Sequence, residues 1–111
     1  VRLLTVNELA AMQGFTAVAI PDGDREINNV YIGDLLSWVM SRANEGDCWL
    51  TVMGNVNSIG VAVMTDVACI LLTENSAFDD DAKLRAEQNG VIVLRSSENA
   101  FDLAVKIAEK L

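Results

Sequence analysis

The side chains best suited to bind a ligand fall in two short polar segments of the chain. The candidates are Asp24, Arg25, Asp34, Ser37, Asn55 and Asn57. Arg25 carries a planar guanidinium that binds a phosphate or a carboxylate through two parallel hydrogen bonds. Helix starts predicted near Asp34 and Asn57 would add backbone amides that favour anions. We therefore expect these six residues to contact a small anionic ligand or a protein partner.

Each of these residues also has a purely structural interpretation. Asp24 can pair with Arg25 or accept a hydrogen bond from a turn amide. Asp34 and Asn57 can cap helices, and Asn55 can shape a turn. From the sequence alone, the ligand-binding and structural roles both remain open.

Standard catalytic sites are mostly excluded by the residue types present. The chain has no histidine, so it cannot form a Ser-His or Cys-His nucleophile pair, and it has no phosphate-binding loop of the Gly-x-x-x-x-Gly-Lys-Ser/Thr type. A pair of carboxylates among Asp24, Asp34 and Asp66 stays open, because sequence gives no distances. The prediction is a protein that is not an enzyme and holds no cofactor.

No metal site is predicted either. Cys48 and Cys69 are the only cysteines, too few for a zinc site without histidine, and each lies in an apolar run typical of a buried strand. The run from Asp79 to Asp81 lacks the spacing of a calcium loop and instead suits the start of a helix.

The charge balance limits the partners of the protein. Sixteen acidic and eight basic residues give a net charge of -8 and a pI near 4.2. This excess of negative charge disfavours binding to nucleic acid and to anionic membrane surfaces. No apolar run is long enough to span a membrane, and the first residues lack the pattern of a signal peptide. We expect a cytoplasmic protein.

The front of the chain predicts a short helix, a strand and a polar centre. Leu4 to Leu9 reads as a helix start, with Thr5 and Glu8 forming a capping box, and Gly14 ends that helix. Thr16 to Ile20 is a predicted strand, followed by a turn at Pro21-Asp22-Gly23. A further strand is predicted over Ile27 to Ile32, where Asn28 and Asn29 interrupt the alternation of apolar and polar residues.

An amphipathic helix follows this polar centre. Its apolar residues recur at helical spacing, and Asp34 is its predicted N-cap. These residues are Leu35, Leu36, Val39, Met40 and Ala43. Trp38 lies beside this apolar stripe and therefore either flanks the core or projects toward a partner subunit.

The remainder alternates regularly between strands and helices. The predicted order is a strand at Cys48 to Val52, a helix at Ser58 to Thr65, a strand at Ala68 to Thr73, a helix opened by Asp79, a strand at Val91 to Leu94, and a helix capped by Ser96 or Ser97. Strands separated by helices run parallel when they share a sheet. The predicted fold class is α/β: one layered domain over residues 1–111, with a small, mainly parallel sheet flanked by helices.

Three segments resemble the DRTGG domain family over nearly the whole chain: DREINNVYIGDLLSWVMSRANEGDCWLTV, NVNSIGVAVMTDVACILL and GVIVLRS. The motif that names the family reads Asp24-Arg25-Glu26-Ile27-Asn28 here, so the Asp-Arg pair is kept and the Thr-Gly-Gly part is not. If the glycines of relatives supply an unusual backbone geometry, Asn28 and Asn29 must supply it here or the feature is lost.

The resemblance implies a non-catalytic regulatory module. Such domains are similar to inserts beside CBS domains in regulated pyrophosphatases, to a domain of some phosphotransacetylases and, more distantly, to the amino-terminal domain of HPr kinase/phosphorylase. Together with the apolar fraction of the chain and Trp38, the resemblance implies a homodimer that senses a small molecule, such as a nucleotide. The alternative is a purely structural accessory subunit that binds another protein. The short length leads us to expect a stand-alone version.

Overall fold

The computed structural model describes residues 4–21 and 24–111. The front of the chain contains β1 (Leu4–Thr5), α1 (Val6–Ala10), β2 (Thr16–Ala19), β3 (Glu26–Ile27) and β4 (Asn29–Ile32). The rest contains α2 (Leu36–Arg42), β5 (Asp47–Thr51), α3 (Val56–Thr65), β6 (Cys69–Leu72), α4 (Asp80–Gln88), β7 (Val93–Arg95) and α5 (Ala100–Ala108). Asp22 and Gly23, the centre of the predicted turn, lie outside the described residues.

A five-stranded sheet in the order β2-β7-β6-β5-β4 forms the middle layer. Strands β4 to β7 are mutually parallel neighbours, whereas β2 pairs antiparallel with β7 at one edge. A separate two-stranded antiparallel pair joins β1 to β3. The α/β prediction, with its alternation of strands and helices after β4, is therefore confirmed.

Helices cover both faces of the sheet, and each face has its own core. Successive right-handed crossovers in one direction place α2, α3 and α4 on the same face. There Val39, Ile59 and Ala82 pack with the indole of Trp49. On the other face α1 and α5 pack through Leu9, Leu103 and Ile107 against β5, β6 and β7. Because both faces are covered, all five residues of β5 are buried.

The predicted capping box at the front of α1 is present. The amide of Glu8 donates to Thr5 Oγ1 at 3.2 Å, and the amide of Thr5 donates to Glu8 Oε1 at 3.2 Å. Leu4 and Leu9, on either side of this box, are both buried in the same core. Helix α1 ends at Ala10, before Gly14, whose φ of 94° only glycine adopts readily.

Two predicted helix caps are wrong. The residue at the N-cap of α2 is Leu35, which has no side-chain cap bond, because the carboxylate of Asp34 bonds to β5 instead. Helix α5 is capped by Asn99 rather than by Ser96 or Ser97, since Asn99 Oδ1 accepts from the amide of Asp102 at 2.9 Å.

The apolar stripe predicted for α2 is only partly buried. Val39 is fully buried, whereas Leu35 is 59% exposed and Met40 is 39% exposed. Trp38, with 53% exposure, faces outward. Helix α2 therefore has apolar side chains on its outer side as well as on the side that meets the sheet.

Candidate functional site

The six candidate residues lie at two opposite edges of the sheet. Asp24 and Arg25 precede β3 and β4 and therefore lie at the amino edge of the parallel strands. Asp34 follows β4, and Asn55 follows β5, so both lie at the carboxyl edge. A strand of four residues spans about 13 Å. The candidates therefore do not form a single site.

At the amino edge, Asp24 and Arg25 bond to different partners instead of to each other's side chains. Asp24 Oδ1 accepts from the amides of Asn7 at 3.0 Å and Arg25 at 2.8 Å. Arg25 Nη1 donates to Asp66 Oδ1 at 3.1 Å, and Nη2 donates to the backbone oxygen of Asp66 at 3.1 Å. The carboxylate thus ties its loop to the first turn of α1.

Arg25 binds the turn between the end of α3 and the start of β6. Asp66 is the C-cap of α3 and has a left-handed backbone, with φ of 57°. A cation at this end complements the helix dipole and binds a carbonyl that has no partner within the helix. Nη1 also lies 3.5 Å from the carbonyl oxygen of Val67. The two guanidinium nitrogens that could bind a phosphate therefore already donate to Asp66 at the end of α3.

A polar cleft of about 260 Å³ opens beside Arg25 at the amino edge. It is lined by Asp24, Arg25, Glu26, Asn28, Glu45 and Gly46. The three carboxylates outnumber the single cation, whose charge is already paired with Asp66. Electrostatically this cleft disfavours an anion.

The backbone at the position of the family motif is ordinary. Within the described residues, the non-glycine residues with positive φ are Asp66, Glu74 and Asn75, so Asn28 and Asn29 do not adopt that geometry. The left-handed residue nearby is Gly46, with φ of 82°, and a Cβ there would overlap the side-chain amide of Asn28. Close backbone approach in this region therefore depends on a glycine outside the motif.

At the carboxyl edge, two of the candidates stabilise the ends of neighbouring elements. Asp34 Oδ1 accepts from Thr51 Oγ1 at 2.7 Å and from the amide of Val52 at 3.0 Å, which joins the end of β4 to the end of β5. Asn55 caps α3, as its Oδ1 accepts from the amides of Asn57 and Ser58 at 3.0 and 3.2 Å.

The side chains of the other two candidates are exposed and uncommitted. Ser37 lies in the first turn of α2 and Asn57 in the first turn of α3. Neither side chain makes a hydrogen bond to another described residue. Among the six candidates, these two are the most available to a ligand or partner.

A basic cleft that the sequence did not reveal also lies at the carboxyl edge. It has a volume of about 260 Å³ and is lined by Ala17, Val18, Phe78, Lys83 and Arg95. These residues come from β2, the segment before α4, α4 itself and β7. Because the antiparallel pairing of β2 with β7 assembles the cleft, no local pattern in the sequence signals it.

The two cysteines form a buried pair on adjacent strands. Cys48 and Cys69 are register partners in β5 and β6, and their sulfur atoms lie 3.6 Å apart. The hydrogen bond between the two thiols and the burial of Cys48 raise the pKa of Cys48 well above its usual range. Cys48 therefore stays a thiol near neutral pH and is a poor nucleophile.

Two further features concern metals and membranes. Within residues 4–21 and 24–111, no three His, Cys, Asp or Glu side chains are placed to hold a metal ion. Asp79 occupies the N-cap position of α4, with Asp80 and Asp81 in its first turn. The helices in the described part of the chain are all too short or too polar to cross a membrane.

These features define a small α/β domain with shallow clefts at both edges of its sheet. The sequence model of the DRTGG domain matches residues 9–110, and the chain belongs to the DRTGG domain family. Domains of this family are regulatory modules. The family and the fold predicted from the sequence are therefore both confirmed.

A solved structure has the same fold. It contains the CBS and DRTGG domains of the regulatory region of Clostridium perfringens pyrophosphatase, in complex with the activator diadenosine tetraphosphate. The match has a TM-score of 0.78 and 13% sequence identity, and it covers 96% of this chain and 46% of that chain. This chain thus corresponds to less than half of that regulatory region. No curated protein sequence matches this chain.

Proposed function

We propose that residues 1–111 form a single non-catalytic regulatory domain that binds a small molecule, such as a nucleotide, and acts in the cytoplasm as a homodimer. The family supports the regulatory role, and the structural neighbour was solved with a nucleotide activator. The proposed contacts are the six candidates, divided between two edges of the sheet: Asp24 and Arg25 at the amino edge, and Asp34, Ser37, Asn55 and Asn57 at the carboxyl edge.

The observation that carries the dimer is the outer stripe of α2, formed by Leu35, Trp38 and Arg42. Residues three and four apart on a helix share a face, so these side chains are neighbours. Leu35 and Trp38 are each more than half exposed, and the guanidinium carbon of Arg42 lies 3.8 Å from the centre of the Trp38 ring. Trp and Arg dominate the binding energy of many protein interfaces.

The charge of the chain also favours a partner at this stripe. Arg42 is an exposed cation on a molecule with net charge -8, so an acidic surface can approach the stripe with less repulsion than elsewhere. Burial of two copies of the stripe would remove Leu35 and Trp38 from water.

The second candidate function is a purely structural domain that binds another protein as an accessory subunit. It is favoured by the internal bonds of Arg25, Asp34 and Asn55, whose ligand-binding groups already have intramolecular partners. An interaction domain would use the outer stripe of α2 for the other protein and would carry no small molecule.

Native mass spectrometry of freshly purified protein distinguishes these functions. A dimer with an additional non-covalent mass is the expected result. A dimer without added mass, also after incubation with millimolar ATP and AMP, would contradict small-molecule sensing and favour the interaction domain. A monomer at micromolar concentration would overturn the homodimer.

A further inference from the structure

The basic cleft lies where strand direction reverses in the sheet. Arg95 is the last residue of β7 and is the register partner of Thr16 in the antiparallel edge strand β2. Phe78 and Lys83 lie just before and within the first turns of α4. The cleft therefore opens at the carboxyl edge of the parallel strands, the side on which open α/β sheets bind their ligands.

The usual binding crevice of such a sheet is closed here. Strands β6 and β7 are neighbours whose following helices, α4 and α5, pack on opposite faces, which makes their carboxyl ends the switch point of the fold. The amide of Glu74 donates to the carbonyl of Glu98 and that of Asn75 to the carbonyl of Ser96, both at 2.9 Å. Backbone hydrogen bonds thus join the two loops across the crevice, and the basic cleft opens beside it, next to α4.

Among the described residues, the two cations of the cleft have no hydrogen-bonding or ion-pair partner. Neither the side chain of Lys83 nor that of Arg95 makes a hydrogen bond or ion pair with another described residue, although the chain carries twice as many acidic as basic residues. By contrast, Arg25 pairs with Asp66 and Lys106 pairs with Glu98. Two like charges lining one cleft repel each other, and a bound anion would relieve that repulsion.

The acidic residues that precede Lys83 in the sequence form no ion pair with it. Asp79 and Asp80 precede Lys83 by four and three residues, a spacing that suits ion pairs on a helix, yet neither pairs with it. Asp79 occupies the N-cap position of α4. The carboxylate of Asp81 accepts a hydrogen bond from the amide of Ala82 at 2.9 Å. Lys83 consequently remains available to a ligand.

One wall of the cleft is aromatic and apolar. Phe78 is half-buried and packs with Val18 against the core beneath α4, which leaves part of its ring facing the cleft. Ala17 adds a small apolar side chain beside it. An aromatic ring near two cations suits a ligand that combines a flat or apolar part with phosphate, because rings stack on bases and cations bind phosphate oxygens.

The loop that presents Phe78 is held in place from two sides. Glu74 and Asn75 are both left-handed, with φ of 54° and 53°, and the amide of Ser76 closes this turn on the carbonyl of Thr73 at 3.0 Å. On the other side, a Cβ on Gly54 would overlap the carbonyl of Ala77. A loop packed this closely gives the ligand a preformed wall.

We propose that this cleft binds an organic phosphate, with Lys83 and Arg95 contacting the phosphate oxygens and Phe78 contacting the organic part. The inference rests on the proposed sensing of a small molecule and gives that sensing a location. It adds Phe78, Lys83 and Arg95 to the ligand contacts.

The test is isothermal titration calorimetry of the full chain with AMP, ATP, inorganic phosphate and adenosine. AMP or ATP should bind, whereas adenosine should bind at least tenfold more weakly because it lacks the phosphate. Lys83→Ala and Arg95→Ala should each weaken AMP or ATP binding about tenfold, the loss expected for one charge-assisted contact. Phe78→Leu should weaken nucleotide binding and leave the binding of inorganic phosphate unchanged.

Matched controls remove the same charge elsewhere. Lys110→Ala is the control for Lys83→Ala, and Arg85→Ala is the control for Arg95→Ala, since neither Lys110 nor Arg85 lines the cleft. Lys83 is exposed, so Lys83→Glu keeps the test valid if the Arg95 variant misfolds. Its charge reversal should abolish binding of AMP and ATP.

The outcomes separate this inference from the proposed function. Nucleotide binding that survives Lys83→Glu would overturn the cleft as the site and leave small-molecule sensing intact. Failure of wild-type protein to bind any of the four probes at millimolar concentration would contradict the proposal that the cleft binds an organic phosphate. In that case an additional mass in the native spectrum would still support sensing of another ligand, and a bare spectrum would contradict both proposals.

Discussion

The guanidinium of Arg25 directs two nitrogens at the C-terminal end of α3, and this geometry determines what its removal should do. Arg25→Ala leaves the carboxylate of Asp66 without its donor, and the carbonyl of Asp66 keeps only the amide of Gly46. The side chain is 36% exposed, so solvent screens part of the effect. We expect the free energy of unfolding to fall by about 1–2 kcal/mol.

Urea denaturation measures this change, and Arg85→Ala is a control that removes an exposed arginine whose side chain bonds to no other described residue. Arg25→Lys should recover only part of the lost stability, because an ammonium cannot reproduce the fork. Unchanged stability of Arg25→Ala would show that the turn between α3 and β6 does not depend on this side chain.

The thiol pair gives a prediction about pH. The pKa of Cys48 is raised in the folded protein, whereas an unfolded cysteine has a pKa of about 8.5. Below that pH both states keep the proton and stability is unaffected. Above it the unfolded state loses the proton first, so the free energy of unfolding falls as pH rises, by up to about 1.4 kcal/mol per pH unit for one thiol.

Denaturation curves between pH 7 and pH 10 measure this slope. A variant with Cys48→Ala and Cys69→Ala should show a shallower slope over the same range. Rapid reaction of the native protein with a thiol reagent at pH 8 would contradict the burial of the pair, since both sulfurs should react only after unfolding.

At the scale of elements, regular periodicity predicted the strands and helices of the back half, because buried strands and amphipathic helices are local patterns. The caps could not be predicted in the same way. Asp34 precedes a helix and looks like its cap, yet its carboxylate bonds to Thr51 and Val52 on the neighbouring strand. The choice between the two roles depends on a residue seventeen positions away.

The candidate site was harder to predict for the same reason. Arg25 and Asp34 are close in the sequence, but the intervening strand β4 carries them to opposite edges of the sheet. Conversely, Phe78 and Arg95 meet at one cleft with Ala17, which lies on a distant strand. Residue types identified the chemistry available, while sheet topology determined which residues share a site.

Two glycines test how tightly the elements fit. At Gly54 a Cβ would overlap the carbonyl of Ala77, whereas at Gly60, within α3, a Cβ would have no atom within 4 Å. Gly54→Ala should therefore destabilise the protein by about 1–3 kcal/mol. Gly60→Ala should stabilise it by about 0.5–1 kcal/mol, because alanine favours helix more than glycine does.

Thermal denaturation of the two variants gives opposite shifts in Tm. Each variant is the control for the other, since both add the same methyl group. A Gly54→Ala protein as stable as wild type would show that the loop before α4 can move away from the turn after β5, and the cleft lined by Phe78 would then lose its preformed wall.

At the scale of the whole molecule, the homodimer depends on the outer stripe of α2. Trp38→Ala should raise the dimer dissociation constant at least tenfold, because tryptophans at interfaces commonly contribute about 2 kcal/mol or more. Far-UV circular dichroism should be unchanged, since Trp38 is 53% exposed and contributes little to the core.

Light scattering after size-exclusion chromatography measures the dissociation. Phe101→Ala is the matched control: it removes an aromatic side chain that is 74% exposed on α5. If both variants remain dimeric, a different surface joins the subunits. If Phe101→Ala alone becomes monomeric, the interface lies on the α5 face of the sheet.

The pairing of β2 with β7 has a consequence for the order of folding. β2 is the first strand of the five-stranded sheet along the chain, yet its one neighbour is the last strand, some eighty residues later, with Thr16 opposite Arg95. Closing so long a loop is entropically costly, and during synthesis β2 has no partner until residue 95 has left the ribosome. In pulsed hydrogen exchange, the amides of β2 should therefore gain protection after those of β5 and β6, and the basic cleft would be the last part of the molecule to form.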